Sequence, residues 1–118
     1  MDLKTAVKTY PFGDRAKSEL IIASQLATAL PGFPEAERAG GKRMLILLME
    51  AVRSEIEFAF RSTEISEFRK AIDLLSEAIS LVESDRAGAA SLKISESISA
   101  STTAAQLAWQ VLSDHGLL

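Results

Sequence analysis

Apolar residues recur along this chain at spacings of three and four, the rhythm of amphipathic helices, and Pro/Gly breaks divide it into segments. Residues 1–13 lack a clear period and are punctuated by Pro11 and Gly13, which reads as a flexible or short helical lead-in to a bundle domain over 14–118. Asp14 is the expected N-cap of a first long helix, Arg15 to Leu30, with Ala16, Leu20, Ala23, Ala27 and Leu30 on its inner face. Leu30-Pro31-Gly32 ends that helix, because proline cannot continue it and glycine relaxes the turn.

The stretch from Phe33 to Phe68 is the centre of the chain. Pro34 suits a first helical turn, and Glu35 and Glu37 sit at the positive end of the helix dipole. A helix from Pro34 to about Arg61 follows. At about 100° per residue, Met44, Leu47, Leu48, Ala51, Val52, Phe58 and Ala59 fall on one broad apolar face. Arg43, Glu50, Arg53, Glu57 and Arg61 fall on the opposite strip, laced by weak pairs. Gly40-Gly41 implies either a loose turn or a close neighbour, since each glycine costs about 1 kcal/mol relative to alanine.

Ser62 or Thr63 is the expected cap of a third helix, about Glu64 to Asp85. Its heptad seam is Ile65, Phe68, Ile72, Leu75, Ile79 and Val82, and Ala71, Leu74, Ala78 and Leu81 make a second seam beside it. Two seams predict neighbours on two sides. After Arg86-Ala87-Gly88, a last helix is expected from about Ala89 to Asp114, with Ile94, Ile98, Ala105, Ala108 and Leu112 inward. The Ser/Thr-rich run 95–103 has disorder as its alternative, but Ile94 and Ile98 and the Ala-rich segment after it favour helix. Short connections between long helices predict an all-α, up-and-down antiparallel four-helix bundle.

Composition narrows the chemistry. The 118 residues hold five Phe, one Trp and one Tyr, so the core must be largely aliphatic. There is no cysteine, which excludes disulfides and Cys-ligated zinc and fits a reducing compartment. Met1-Asp2-Leu3-Lys4 carries no apolar run behind it, and the longest strictly apolar run, Met44–Met49, is far shorter than the roughly 20 residues of a membrane span. A soluble, cytoplasmic protein is expected. Net charge is −3: residues 1–61 hold nine Lys/Arg against eight Asp/Glu, and 62–118 hold four against eight. That is not the strongly basic footprint of a protein that binds nucleic acid by itself.

The central stretch carries a resemblance. Phe33-Pro34-x-x-Glu37-Arg38-x-Gly40, then Ser54-x-Ile56, Arg61 and Glu67-Phe68, resembles the small four-helix-bundle family encoded in bacterial 23S ribosomal RNA intervening sequences. That family includes the accessory variability protein of diversity-generating retroelements. The C-terminal Leu107-Ala108-Trp109 is loosely similar to the end of the retroelement protein. The resemblance implies a non-enzymatic homo-oligomeric scaffold, a pentameric ring among its forms, with a reverse transcriptase and nucleic acid as partners. The acidic balance supports a second reading: a protein-binding adaptor or chaperone bundle with no nucleic-acid role.

Catalytic machinery is not visible. The one histidine, His115, precedes Gly116 and suits a helix C-terminus, where a partly positive imidazole meets the dipole. No Glu-x-x-His pair marks a di-metal site, and Gly40-Gly41-Lys42-Arg43 lacks the Lys-Ser/Thr frame of a phosphate loop. No enzyme, metal, cofactor or small-molecule substrate is expected. Arg38, Lys42 and Arg43 form a basic cluster, either a phosphate or partner contact or a solvated face balanced by Glu35 and Glu37. Glu55 projects into the apolar face, so it lies at a rim or in a polar pairing at a packed interface. Trp109 is expected as a core or interface anchor.

Overall fold

Asp2 starts the first helix. Its carboxylate accepts the Thr5 backbone N–H at 2.8 Å, and hydrogen bonding from Thr5, first from its hydroxyl and then from that N–H, holds the Asp2 pKa below the usual carboxylate range. The computed structural model describes Met1–Leu118 as α1 (Leu3–Ala29), α2 (Glu35–Thr63), α3 (Ser66–Glu83) and α4 (Ala87–Asp114), with a 3₁₀ turn at Leu30–Gly32. Each helix packs on the two beside it around a square, α1 on α2, α2 on α3, α3 on α4 and α4 on α1, which is the expected up-and-down bundle.

Residues 3–13 are therefore the opening turns of α1 rather than a separate lead-in, and Asp2 caps that helix in place of Asp14. Pro11 is tolerated because only the Val7 carbonyl loses a donor, and Val7 is 53% exposed, so water can replace the bond. Gly13 is buried against α4. A Cβ there would lie 3.0 Å from the Ala105 nitrogen and from the Ser101 oxygen, so the two backbones nearly touch.

Small residues make that approach. Ala6, Thr9, Gly13, Ala16, Ala23 and Ala27 are buried along α1 in a three-four rhythm. Ala87, Ala90, Ser97, Ser101, Ala104 and Ala108 answer them from α4. The Ser/Thr-rich run is helical throughout. Ser97 donates to the Ala71 carbonyl at 2.9 Å, tying α4 to α3. Thr9 and Ser101 bury hydroxyls with no partner. Of the inward residues expected on α4, Ile94, Ala108 and Leu112 are buried, while Ile98 and Ala105 are half-buried.

The larger core side chains come chiefly from α2 and α3: Leu45, Met49, Ile56, Phe68 and Leu75, with Leu20 and Ile94 from the outer pair. The first α3 seam is buried from Phe68 to Val82, and the second is buried at Ala71 and Ala78 and half-buried at Leu74 and Leu81. On α2 the expectation holds only in part: Val52 and Ala59 are buried and Leu48 is half-buried, but Ala51 is exposed with the large residues Met44, Leu47 and Phe58. Its core line is Leu45, Met49, Val52, Ile56 and Ala59, whereas Met44, Leu47 and Phe58 are 69%, 59% and 55% exposed. The run Met44–Met49 is apolar all round, so periodicity offers two stripes and the packing of α1 and α3 selects one.

The turns depart slightly from expectation. Thr63 closes α2, its hydroxyl donating to the Ala59 carbonyl and accepting the Ile65 N–H, and Glu64 takes the left-handed conformation (φ 56°) before α3 begins at Ser66. After α3, Asp85 (φ 61°) forms a Schellman turn in which Arg86 N–H reaches the Leu81 carbonyl and Asp85 N–H the Val82 carbonyl. The α4 C-terminus repeats that turn through Gly116, and His115 Nδ1 lies 2.8 Å from the Val111 carbonyl, as its place beside Gly116 predicts. Within α2, Gly41 leaves room for the Phe33 ring and Leu30, which would lie about 3 Å from an added Cβ, whereas Gly40 faces open space.

The bundle is long, 54 × 22 × 18 Å, with a radius of gyration of 15.4 Å against about 13.5 Å for a compact chain of this length. The length comes from α1, α2 and α4, whose 27 to 29 residues each run about 40 Å, while α3 has only 18. Past its start, α1 and α4 continue as a pair with their own small cluster of Ala6, Ala108 and Leu112.

Gly13→Ala is expected to destabilise the fold by about 1–3 kcal/mol, because backbone atoms cannot give way. Gly40→Ala is expected to stabilise it by up to about 1 kcal/mol through helix propensity alone. Urea unfolding followed by far-ultraviolet dichroism checks both signs. Thr9→Val and Ser101→Ala each remove an unpartnered buried hydroxyl, and each is expected to raise stability by about 1 kcal/mol in the same assay.

Candidate functional site

At the loop end of the bundle, the turn after α1 and the turn before α4 enclose a cavity of about 610 Å³. Leu30, Pro31 and Val82 give it an apolar floor, and Arg38, Lys42 and Arg86 line it with positive charge. Arg38 and Lys42 are four apart on α2, so one helical face carries both. Lys42 Nζ donates to the Glu83 carbonyl at 2.8 Å and to Asp85 Oδ1 at 3.0 Å. Arg38 Nε donates to the Phe33 carbonyl at 2.9 Å. Arg43, the third residue of the expected basic cluster, is absent from this lining and stands exposed elsewhere on the helix. Arg86, which the sequence pattern did not single out, joins Arg38 and Lys42 instead. Only the antiparallel return of α3 brings it there.

With Glu35 and Asp85 also in the lining, three cations face two carboxylates. The excess is one positive charge per chain. Arg86 makes no ion pair, and α4 begins beside it without a side-chain cap or a first-turn acid. Such an end can meet an anion weakly, in proportion to the phosphates it neutralises.

The second candidate is the outer face shared by α1 and α2. Arg15 reaches across from α1 to Glu55, Nη2 to Oε1 at 2.6 Å, while its Nε donates to Glu19 at 2.7 Å. Glu55 is thus in a polar pairing, made within one chain, and its side chain is 43% exposed. Its pKa is raised, first because a shared hydrogen bond with Glu19 favours a proton between the two carboxyls, then by partial burial, and against the pull of Arg15. Arg15 and Glu19 were not legible as site residues, because their meeting with Glu55 depends on the register of α1 against α2.

Apolar side chains flank this triad. Met44 and Leu47 are exposed toward one end, with Ile22 and Leu26 exposed on α1. At the other end, Phe12 and Phe58 stack edge to face at 5.8 Å, and the Arg61 guanidinium lies 6.0 Å from the Phe58 ring. A groove of about 510 Å³ opens there between Lys8, Pro11, Phe12, Arg15, Phe58 and Ser62.

Trp109 is not a core residue. It is 45% exposed on the projecting end of α4. No three His, Cys, Asp or Glu side chains come together in a way that could hold a metal ion, and no helix is long and apolar enough to cross a membrane. Comparison with protein-family models, with curated proteins and with solved structures finds no match.

The raised Glu55 pKa fixes a sign. The folded chain holds a proton that the unfolded chain releases, so this stabilisation is complete below the ordinary glutamate value and is lost as pH rises through the raised one. In Glu55→Gln the amide donates to Glu19 at every pH. Unfolding midpoints measured from pH 4 to 7 are expected to fall less with rising pH in the variant than in the parent.

Proposed function

We propose that this chain is a non-enzymatic bundle that joins copies of itself and acts as a scaffold for a larger partner, as the resemblance of its Phe33–Phe68 stretch implies. One observation carries the reading: Met44, Leu47 and Phe58 lie exposed along one face of a single copy. Large apolar side chains gathered on one face mark an interaction surface more often than single scattered ones do. Glu55, bridged to Arg15, and Trp109, on the projecting end of α4, are the polar and aromatic residues assigned to interfaces.

A reverse transcriptase and its nucleic acid are the partners implied by the resemblance. Arg38, Lys42 and Arg43 are the contacts assigned to that role, with Arg86 added by its place beside the first two. One excess charge per chain is feeble, but an oligomer multiplies it. The absence of cysteine supports work in a reducing, cytoplasmic compartment.

A second reading, an adaptor or chaperone with protein partners only, draws on the net charge of −3 and on the two carboxylates that offset the basic end.

Light scattering on the purified chain is expected to give a multiple of 12.7 kDa. A single-copy mass at high protein concentration overturns the assembly. Titration with single-stranded RNA at two salt concentrations separates the two readings. The first expects affinity to fall with a slope of about −0.7 per phosphate contacted, and the second expects no binding.

A further inference from the structure

We propose that the outward ridge of α2 is the seam of a two-fold dimer, in which the α2 helices of two copies run antiparallel and cross at Ala51. This rests on the reading that the chain self-associates, and it specifies face, partner and register.

The ridge is Met44, Leu47, Ala51, Ser54 and Phe58, spaced three and four apart like the core line but on the opposite side of the helix. Its middle is small and its ends are large. Two such ridges laid antiparallel about Ala51 bring small against small at the centre, where the backbones can approach. Met44 of each copy then meets Phe58 of the other. The groove of about 510 Å³ beside Phe58 is a hole of the kind a methionine knob fills, and the unbranched thioether adapts to its shape.

Charge selects the same arrangement. Arg43, Glu50 and Glu57 recur every seven residues along the flank of the ridge, and Arg43 makes no ion pair within the chain. Antiparallel pairing about Ala51 sets each Arg43 beside Glu57 of the second copy, whose only partner within its own chain is Arg53 at 3.7 Å. A parallel seam would instead turn that flank toward the opposite one, where Arg43 faces Leu48 and Glu50 faces Glu55 of the second copy, so it makes no such pair. The one adverse pair in the antiparallel seam is Glu50 on Glu50 at the two-fold axis. That pair limits the strength of the dimer and makes a signature for it. A two-fold seam is isologous, so it gives even assemblies, whereas a ring of five needs a different, head-to-tail contact.

The chain lacks cysteine, so single-cysteine variants report the seam directly. Ala51→Cys is expected to form a covalent dimer on mild oxidation. Met44→Cys alone is not, because the two copies of that position lie about 21 Å apart across the axis, beyond the roughly 7 Å a disulfide spans between Cα atoms. Met44→Cys mixed with Phe58→Cys is expected to cross-link, and Leu92→Cys, exposed on α4, is not. Glu50→Gln is expected to lower the dimer dissociation constant by about 1.5- to 5-fold. Arg43→Glu is expected to raise it, and Glu57→Arg in the same chain to restore it. Dichroism of each variant confirms that the bundle is folded. An unmodified chain that is multimeric by light scattering while Ala51→Cys fails to cross-link overturns this seam and leaves self-assembly standing. An unmodified chain of single-copy mass overturns both.

Discussion

The near-contact of the α1 and α4 backbones is what the rest of this bundle is arranged around. At Gly13 an added Cβ would meet main-chain atoms of Ser101 and Ala105 at 3.0 Å, and small residues hold a close approach along the pair. Alanine, serine and glycine each remove little apolar area from water, so this seam gains less per residue from the hydrophobic effect than a leucine seam would. What it gains instead is dispersion between two backbones in van der Waals range, which adds over many atom pairs. It is also intolerant of added volume, because no flexible side chain stands between the helices to move.

Two consequences follow from so thin a seam. The space at the centre of the square must be filled from the other side, and Met49, Ile56, Phe68 and Leu75 do this from α2 and α3. The terminal helices can also run past the short α3 as a two-helix extension with only Ala6, Ala108 and Leu112 buried as its core. That end therefore has few buried apolar side chains to resist local opening, while the four-layered body has many.

The same division leaves α2 with more apolar surface than one chain can cover. Leu45, Met49, Val52, Ile56 and Ala59 satisfy the bundle, and Met44, Leu47 and Phe58 are left outside it. The Arg15–Glu19–Glu55 triad interrupts this outer surface with charge that is already paired. Large apolar ends about a small, polar middle give this surface the same profile from either end, so its shape marks a register and not a direction. In the dimer proposed above, that profile would favour one register over the others, so specificity would come from register rather than from large area.

The four helices, their order and their antiparallel arrangement were legible in the sequence. The three-four rhythm of α1 and α3 and the break at Leu30-Pro31-Gly32 encode them locally, whereas the last break falls at Ser84–Arg86 and not at the expected Arg86-Ala87-Gly88, since Ala87 and Gly88 already belong to α4. The lead-in was misread because Pro11 and Gly13 are helix breakers by propensity. Tertiary contact reversed that: Pro11 leaves only the Val7 carbonyl without its donor, at a residue that is itself exposed, and the approach of α4 requires the glycine. The α2 core face was legible only at Val52 and Ala59, and the rest was misread for a different reason. A continuous apolar run carries no phase, so only the flanking helices could choose Leu45 and Met49 over Met44 and Leu47. Of the candidate sites, Glu55 was legible only as a carboxylate at a rim or in a polar pairing, and it has features of both, 43% exposed and bridged to Arg15. Its donor, Arg15, was not legible, and neither was the replacement of Arg43 by Arg86 at the basic end. Local periodicity determines which residues share a helix face, but which faces meet is settled by register between elements far apart in the chain.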